Sequence, residues 1–101
     1  MGFHKVAQVR DLPAGAMLDA TVGEKSYVVC NIGGELHAMD GQCPHRGGPL
    51  GQGALHGTTV VCPWHAWEFD CVSGRHDYNP AIRLQTFAVK VHGDDVMVDV
   101  P

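Results

Sequence analysis

The sequence predicts an all-β fold. Three observations carry that expectation. Short runs rich in β-branched residues recur along the chain, and several alternate apolar with polar positions. Thirteen glycines and six prolines interrupt it at close intervals. No stretch shows the helical apolar period, and there is no internal repeat, linker or low-complexity tract. At 101 residues the chain accommodates one small domain, 1–101, with a modest core.

The elements follow in order. Phe3 to Val9 alternates roughly and reads as a first strand, and Asp11-Leu12-Pro13-Ala14-Gly15 as a turn. Residues 16–21 are a second strand. Ser26-Tyr27-Val28-Val29-Cys30-Asn31-Ile32 is the clearest strand. Gly33-Gly34 is a two-residue hairpin turn, with Glu35 to Asp40 as the return strand. The texture changes at Gly41. Residues 41–57 carry six glycines and two prolines without periodicity, as in a loop that wraps something. Residues 58–62 and 66–71 read as paired strands, Ser73-Gly74 as a turn, and Tyr78-Asn79-Pro80-Ala81 as a loop. Residues 84–91 alternate as one strand, and Val96 to Val100 is the last. The strands at 26–32 and 84–91 are expected to hold the core.

Composition excludes several classes. A 45% hydrophobic, 18% charged chain is globular rather than disordered. The net charge of −4, with seven Lys plus Arg, argues against nucleic acid or an anionic membrane as main partner. No run approaches a membrane span. The first residues show no export signal, so the expected location is the cytoplasm.

In a reducing cytoplasm, Cys30, Cys43, Cys62 and Cys71 point to metal binding more than to disulfides. Two segments stand out: Cys43-Pro44-His45 and Cys62-Pro63-Trp64-His65. They form C-x-H and C-x-x-H, sixteen residues apart. Zinc accepts two Cys and two His, but its structural sites usually pair like ligands. Here each turn supplies one sulfur and one nitrogen, which suits a two-iron centre with Cys on one iron and His on the other. Zinc remains the alternative. Cys30 and Cys71 match no ligand position and read as buried small residues, with a disulfide between them open but disfavoured. His4, His37, His56, His76 and His92 read as surface or locally hydrogen-bonded residues.

The segments Cys43-Pro44-His45-Arg46-Gly47-Gly48-Pro49-Leu50 and Cys62-Pro63-Trp64-His65-Ala66-Trp67 resemble the Rieske [2Fe–2S] family. The form is that of soluble Rieske-type ferredoxins, and the small Rieske subunit of nitrite reductase is also similar. Phe69-Asp70, Ser73-Gly74 and the loop around Pro80 support the resemblance. It implies one [2Fe–2S] cluster held by Cys43, His45, Cys62 and His65. Gly47, Gly48, Trp64 and Pro80 would surround it. It also implies a Rieske-type antiparallel β-sandwich base from 1–40 and 82–101. A smaller loop-rich cluster-binding subdomain would span 41–81. Glycines let backbone amides approach the cluster sulfurs. Arg46 reads equally as a docking contact and as a solvated charge.

The family's high-potential branch has two further cysteines, and hydroxyl groups near the cluster sulfurs. Gly48 and Trp64 stand at the former positions, Trp67 and Phe69 at the latter. Fewer hydrogen bonds to sulfur predict a potential toward the low end of the Rieske span, about −150 to +300 mV.

The chain has no recognisable mononuclear iron motif and no G-x-G-x-x-G fingerprint. The expectation is therefore an electron carrier rather than an enzyme. It would be a monomer passing single electrons from an NAD(P)H-dependent reductase to a terminal oxygenase, and the resemblance implies His45 and His65 as the exit. The alternatives are a small subunit bound to the large subunit of an NAD(P)H-dependent nitrite reductase, and a zinc-stabilised binding module.

Overall fold

A computed structural model describes residues 2–44, 47–64, 67–79 and 81–101. Ten strands run in order: β1 (Gly2–Gln8), β2 (Met17–Val22), β3 (Lys25–Ile32), β4 (Glu35–Asp40), β5 (Ala54–His56), β6 (Thr59–Val61), β7 (Glu68–Asp70), β8 (Thr86–Phe87), β9 (Val89–His92) and β10 (Asp95–Val100). Single 3-10 turns cover Val9–Asp11 and Leu50–Gln52. Among the described residues, no helix is long and apolar enough to cross a membrane.

The strands form three antiparallel sheets: β1-β10-β9, β2-β3-β4-β8 and β5-β6-β7. The four-stranded sheet lies in the middle, and the burial of β3 shows why. Its residues Tyr27, Val28, Val29 and Cys30 are all buried. Successive side chains on a strand point to opposite faces, so β3 feeds two cores. Tyr27 and Val29 pack with Leu12, Ala20, Ala38, Val96, Val98 and Val100. Val28 and Cys30 pack with Met39, Leu50, Val60, Phe69 and Leu84. A strand covered on both faces reads as a continuous apolar run rather than an alternating one, as this stretch does.

The turn at Gly33-Gly34 has φ of +62° and +99°, as the favoured two-residue hairpin requires. Asn31 braces it. Its Oδ1 accepts the Gly34 N–H at 2.8 Å, and its Nδ2 donates to the Leu12 carbonyl at 2.8 Å. The third sheet departs from the middle one at Asp40 and returns at Gln85, where the Asp40 N–H donates to the Gln85 carbonyl at 2.9 Å.

Two expectations need correction. Residues 84–91 are not one strand. β8 belongs to the middle sheet and β9 to the outer one. The chain crosses between them at Ala88, whose carbonyl accepts the Asp99 N–H. β9 is mostly exposed, and the outer sheet's core contribution comes from Val96, Val98 and Val100 of β10. The 41–57 stretch also contains β5, which pairs with β6 through Ala54–Val61, Leu55–Val60 and His56–Thr59. Three residues are too few to show periodicity.

Candidate metal centre

The first cysteine turn is closed by its own backbone. Gln42 and Pro49 face each other as an isolated antiparallel bridge. Within it the Cys43 N–H donates to the Gly48 carbonyl at 2.9 Å, and the Gly47 N–H to the Cys43 carbonyl at 2.7 Å. The second turn joins β6 to β7, and the Cys62 N–H donates to the Trp67 carbonyl at 2.7 Å. Both cysteines are buried.

These turns bring four of the sequence-identified residues together. The Trp64 N–H donates to Cys62 Sγ at 3.4 Å. A Cβ added at Gly48 would lie 2.8 Å from Cys62 Sγ and 3.3 Å from the Trp64 ring. Gly48 from the first turn thus presses on the thiol of the second, with the Trp64 ring against it. Trp64 stays about half exposed, at 48%. Burial pushes the Cys62 thiol up from its ordinary pKa. The Trp64 N–H works against that shift, and the neighbouring Cys43 thiol adds to it. Burial beside a second thiol thus favours the protonated form of Cys62. A bound cation reverses that preference at Cys62, because metal binding takes the thiolate form.

The two glycines separate in role. Gly47 has φ of +71° with nothing within 4 Å of a Cβ placed there, and its amide is spent on the Cys43 carbonyl. It shapes the turn. Gly48 permits the close approach to sulfur.

The donors of this arrangement fit an iron–sulfur group. Two buried thiols converge from separate turns, one already accepts a backbone N–H, and the space beside it admits no Cβ. His45, His65 and Pro80 lie outside the described residues, as does Arg46.

Cys30 and Cys71 behave as expected of core residues. Both are free, fully buried thiols. Cys71 Sγ donates to Cys30 Sγ at 2.8 Å, joining β3 to the turn after β7. That hydrogen bond pushes the Cys30 thiol up, with burial and the charge of Cys71 acting the same way.

Of the two places expected for His76, surface or local hydrogen bonding, the structure shows the second: its Nδ1 accepts the Tyr78 and Asn79 amides. His76 is buried, at 9% exposure, and its ring lies 4.6 Å from that of Trp67 and 5.3 Å from that of Phe69. The available signal was its position two residues after Gly74 in a segment that bridges back to Phe69. Its polar neighbours Arg75 and Asp77 hid that signal.

The comparisons agree with this geometry. The chain is 38% identical over 101 residues to the ferredoxin component of biphenyl 2,3-dioxygenase from Rhodococcus jostii (strain RHA1), covering 99% of this chain and 94% of the relative. It is 33% identical over 91 residues to the ferredoxin component of the naphthalene 1,2-dioxygenase system from Pseudomonas aeruginosa, covering 89% and 88%. Among solved structures, it superposes with TM-score 0.84 and 28% identity on a chain from a complex of reduced oxygenase and oxidized ferredoxin in carbazole 1,9a-dioxygenase, covering 95% of this chain and 91% of that one. Residues 2–93 match the family model described as the Rieske [2Fe-2S] domain. The paired cysteine turns and this match across nearly the whole length place the chain in the Rieske [2Fe–2S] domain family.

Proposed function

We propose that this protein is a one-electron carrier, taking electrons from an NAD(P)H-dependent reductase and delivering them to a terminal oxygenase. The observation that carries this reading is the convergence of the Cys43 and Cys62 thiols, with Gly48 pressed against one of them. That arrangement occurs in a chain similar along its length to ferredoxin components of dioxygenase systems.

Cys43 and Cys62 would hold one iron of a [2Fe–2S] cluster, and His45 and His65 the other. When bound, that cluster supplies a one-electron acceptor and donor. The chain's residues do the rest. The Trp64 amide favours negative charge on the Cys62 sulfur. Gly48 keeps the second turn close to the first. The Trp64 ring lies beside Gly48, and its exposed part offers apolar contact area. The indole of Trp67 and the benzyl of Phe69 bring no hydroxyl, which supports a potential in the lower part of the Rieske span.

The carrier would work in the cytoplasm. Its partner contact would be small and short-lived, as redox encounters are. With a net charge of −4, a basic docking face suits it, and salt weakens the encounter.

The test is an EPR spectrum of the dithionite-reduced protein, with iron, zinc and acid-labile sulfide counted on the same sample. The expected result is a rhombic signal with the low average g-value of mixed Cys/His ligation, about two irons and two sulfides per chain, and a low midpoint potential. About one zinc per chain with no sulfide overturns the carrier reading. Copurification with a large flavin- and haem-containing subunit replaces the oxygenase by a nitrite reductase.

A further inference from the structure

His76 is a buried imidazole in an aromatic setting. It sits against Trp67 and Phe69, and its Nε2 is buried with no hydrogen-bond partner among the described residues. Leaving a buried donor unpaired costs free energy, so a compensating use of the ring is expected. The structure shows one at the other nitrogen. Nδ1 accepts the backbone N–H of Tyr78 at 3.3 Å and that of Asn79 at 3.1 Å. Two consecutive amides thus find their acceptor in one side chain. Because Nδ1 accepts, the ring hydrogen resides on Nε2.

The same loop is closed at its base. The His76 N–H donates to the Ile82 carbonyl at 3.0 Å, and the Ile82 N–H to the Asn79 carbonyl at 2.9 Å. Asn79 Oδ1 accepts the Ala81 N–H at 3.0 Å. The 76–82 loop therefore carries its own internal caps, and His76 is the one that also faces outward to another loop. Its ring meets Trp67, whose carbonyl holds the Cys62 amide.

We propose that His76 is a positioning residue for the metal centre: its Nδ1 fixes the 76–82 loop through the Tyr78 and Asn79 amides, and its ring registers that loop against Trp67 and the Cys62 turn. The link to the centre rests on the reading of Cys62 as a cluster ligand. The loop's own shape does not depend on that reading. A loop held in register limits solvent access and backbone-dipole variation at the cluster, and both set its potential.

Two variants divide the ring's contributions. His76→Phe keeps an aromatic ring and removes the acceptor. His76→Asn places an amide oxygen near the position of Nδ1 and removes the ring. Amide hydrogen exchange at Tyr78 and Asn79, midpoint potential and iron loss to a chelator are measured on the full-length loaded protein. In His76→Phe the two amides are expected to exchange about tenfold faster or more, from the loss of a buried acceptor, with a shifted potential and faster iron loss. In His76→Asn the amides stay protected through the retained acceptor, while the potential shifts with the loss of the ring contact to Trp67. Unchanged exchange and potential in His76→Phe overturn the proposal. Loss of protection in His76→Asn equal to that in His76→Phe overturns it too, because packing alone would then hold the loop. Should His76→Phe fail to fold, His76→Asn decides. If the wild-type protein binds no iron, the electron-carrier reading fails, while exchange at the two amides still decides the role of His76.

Discussion

Gly48→Ala isolates the closest approach in the site. The new Cβ would lie 2.8 Å from Cys62 Sγ, whereas ordinary contact begins at 3.4 Å. The sulfur must retreat by about 0.6 Å, or the first turn must open by as much. Metal–ligand distances are held to within about 0.2 Å, so that retreat exceeds what a cluster tolerates. The backbone raises no separate objection, because Gly48 is not among the glycines with positive φ. Overpacking costs about 1–3 kcal/mol, against a total stability of about 5–15 kcal/mol for a domain. The chain should therefore stay folded while the centre weakens. Iron loss to a chelator is expected to accelerate roughly ten- to a hundredfold, each ~1.4 kcal/mol being a factor of ten. Iron and sulfide are counted per chain, and far-ultraviolet circular dichroism checks the fold. Gly47→Asn serves as comparison, since its new Cβ meets nothing within 4 Å and Asn tolerates positive φ. It should release iron more slowly than Gly48→Ala. A Gly48→Ala protein with full iron, wild-type release and an unchanged EPR signal would refute the steric argument.

Asn31→Ala removes both side-chain bonds that brace the Leu12 and Gly34 backbone. It should lower Tm by roughly 5–15 °C, from about 1–3 kcal/mol, and leave the EPR signal of the loaded protein unchanged, as calorimetry and EPR on one sample would show. The Cys30 thiol is raised by its hydrogen bond with Cys71, by burial and by the charge of Cys71. As pH rises, the unfolded chain therefore loses that proton first. The contribution is complete below about pH 8.5 and declines above it by up to about 1.4 kcal/mol per pH unit. Denaturant titrations at pH 8 and pH 10 should show this decline in the wild type and a shallower one in Cys30→Ala. Equal slopes would remove Cys30 from the account.

Different parts of the molecule were legible for different reasons. β3 stood out because Tyr27-Val28-Val29-Cys30 is an apolar run too short for a helix and bounded by polar residues. The Gly33-Gly34 turn carries its own local signature. The two cysteine turns were visible as motifs, since chemistry fixes their spacing. Less visible were features made by distant segments. The Cys30–Cys71 contact joins residues 41 apart, and nothing local to either cysteine announces the other. The break at Ala88 depends on which sheet each flank pairs with. His76 was hidden because a polar residue between Arg75 and Asp77 resembles surface. Its burial follows from the bridge to Phe69 and from an acceptor role that only the folded loop creates. The contact of Gly48 with Cys62 likewise needs both turns in place.

The middle sheet carries a thermodynamic consequence. β3 has one row of side chains in each core, so neither core can melt without stripping the other of a wall. Cofactor uptake at the cysteine turns would thus be felt in strands that never approach it. Amides of β10, on the far side of β3, should exchange more slowly in the loaded protein than in the empty one. Loss of the metal would then register as a loosening of the whole molecule rather than of one lobe, and quality control in the cell would read an empty carrier as a poorly folded one.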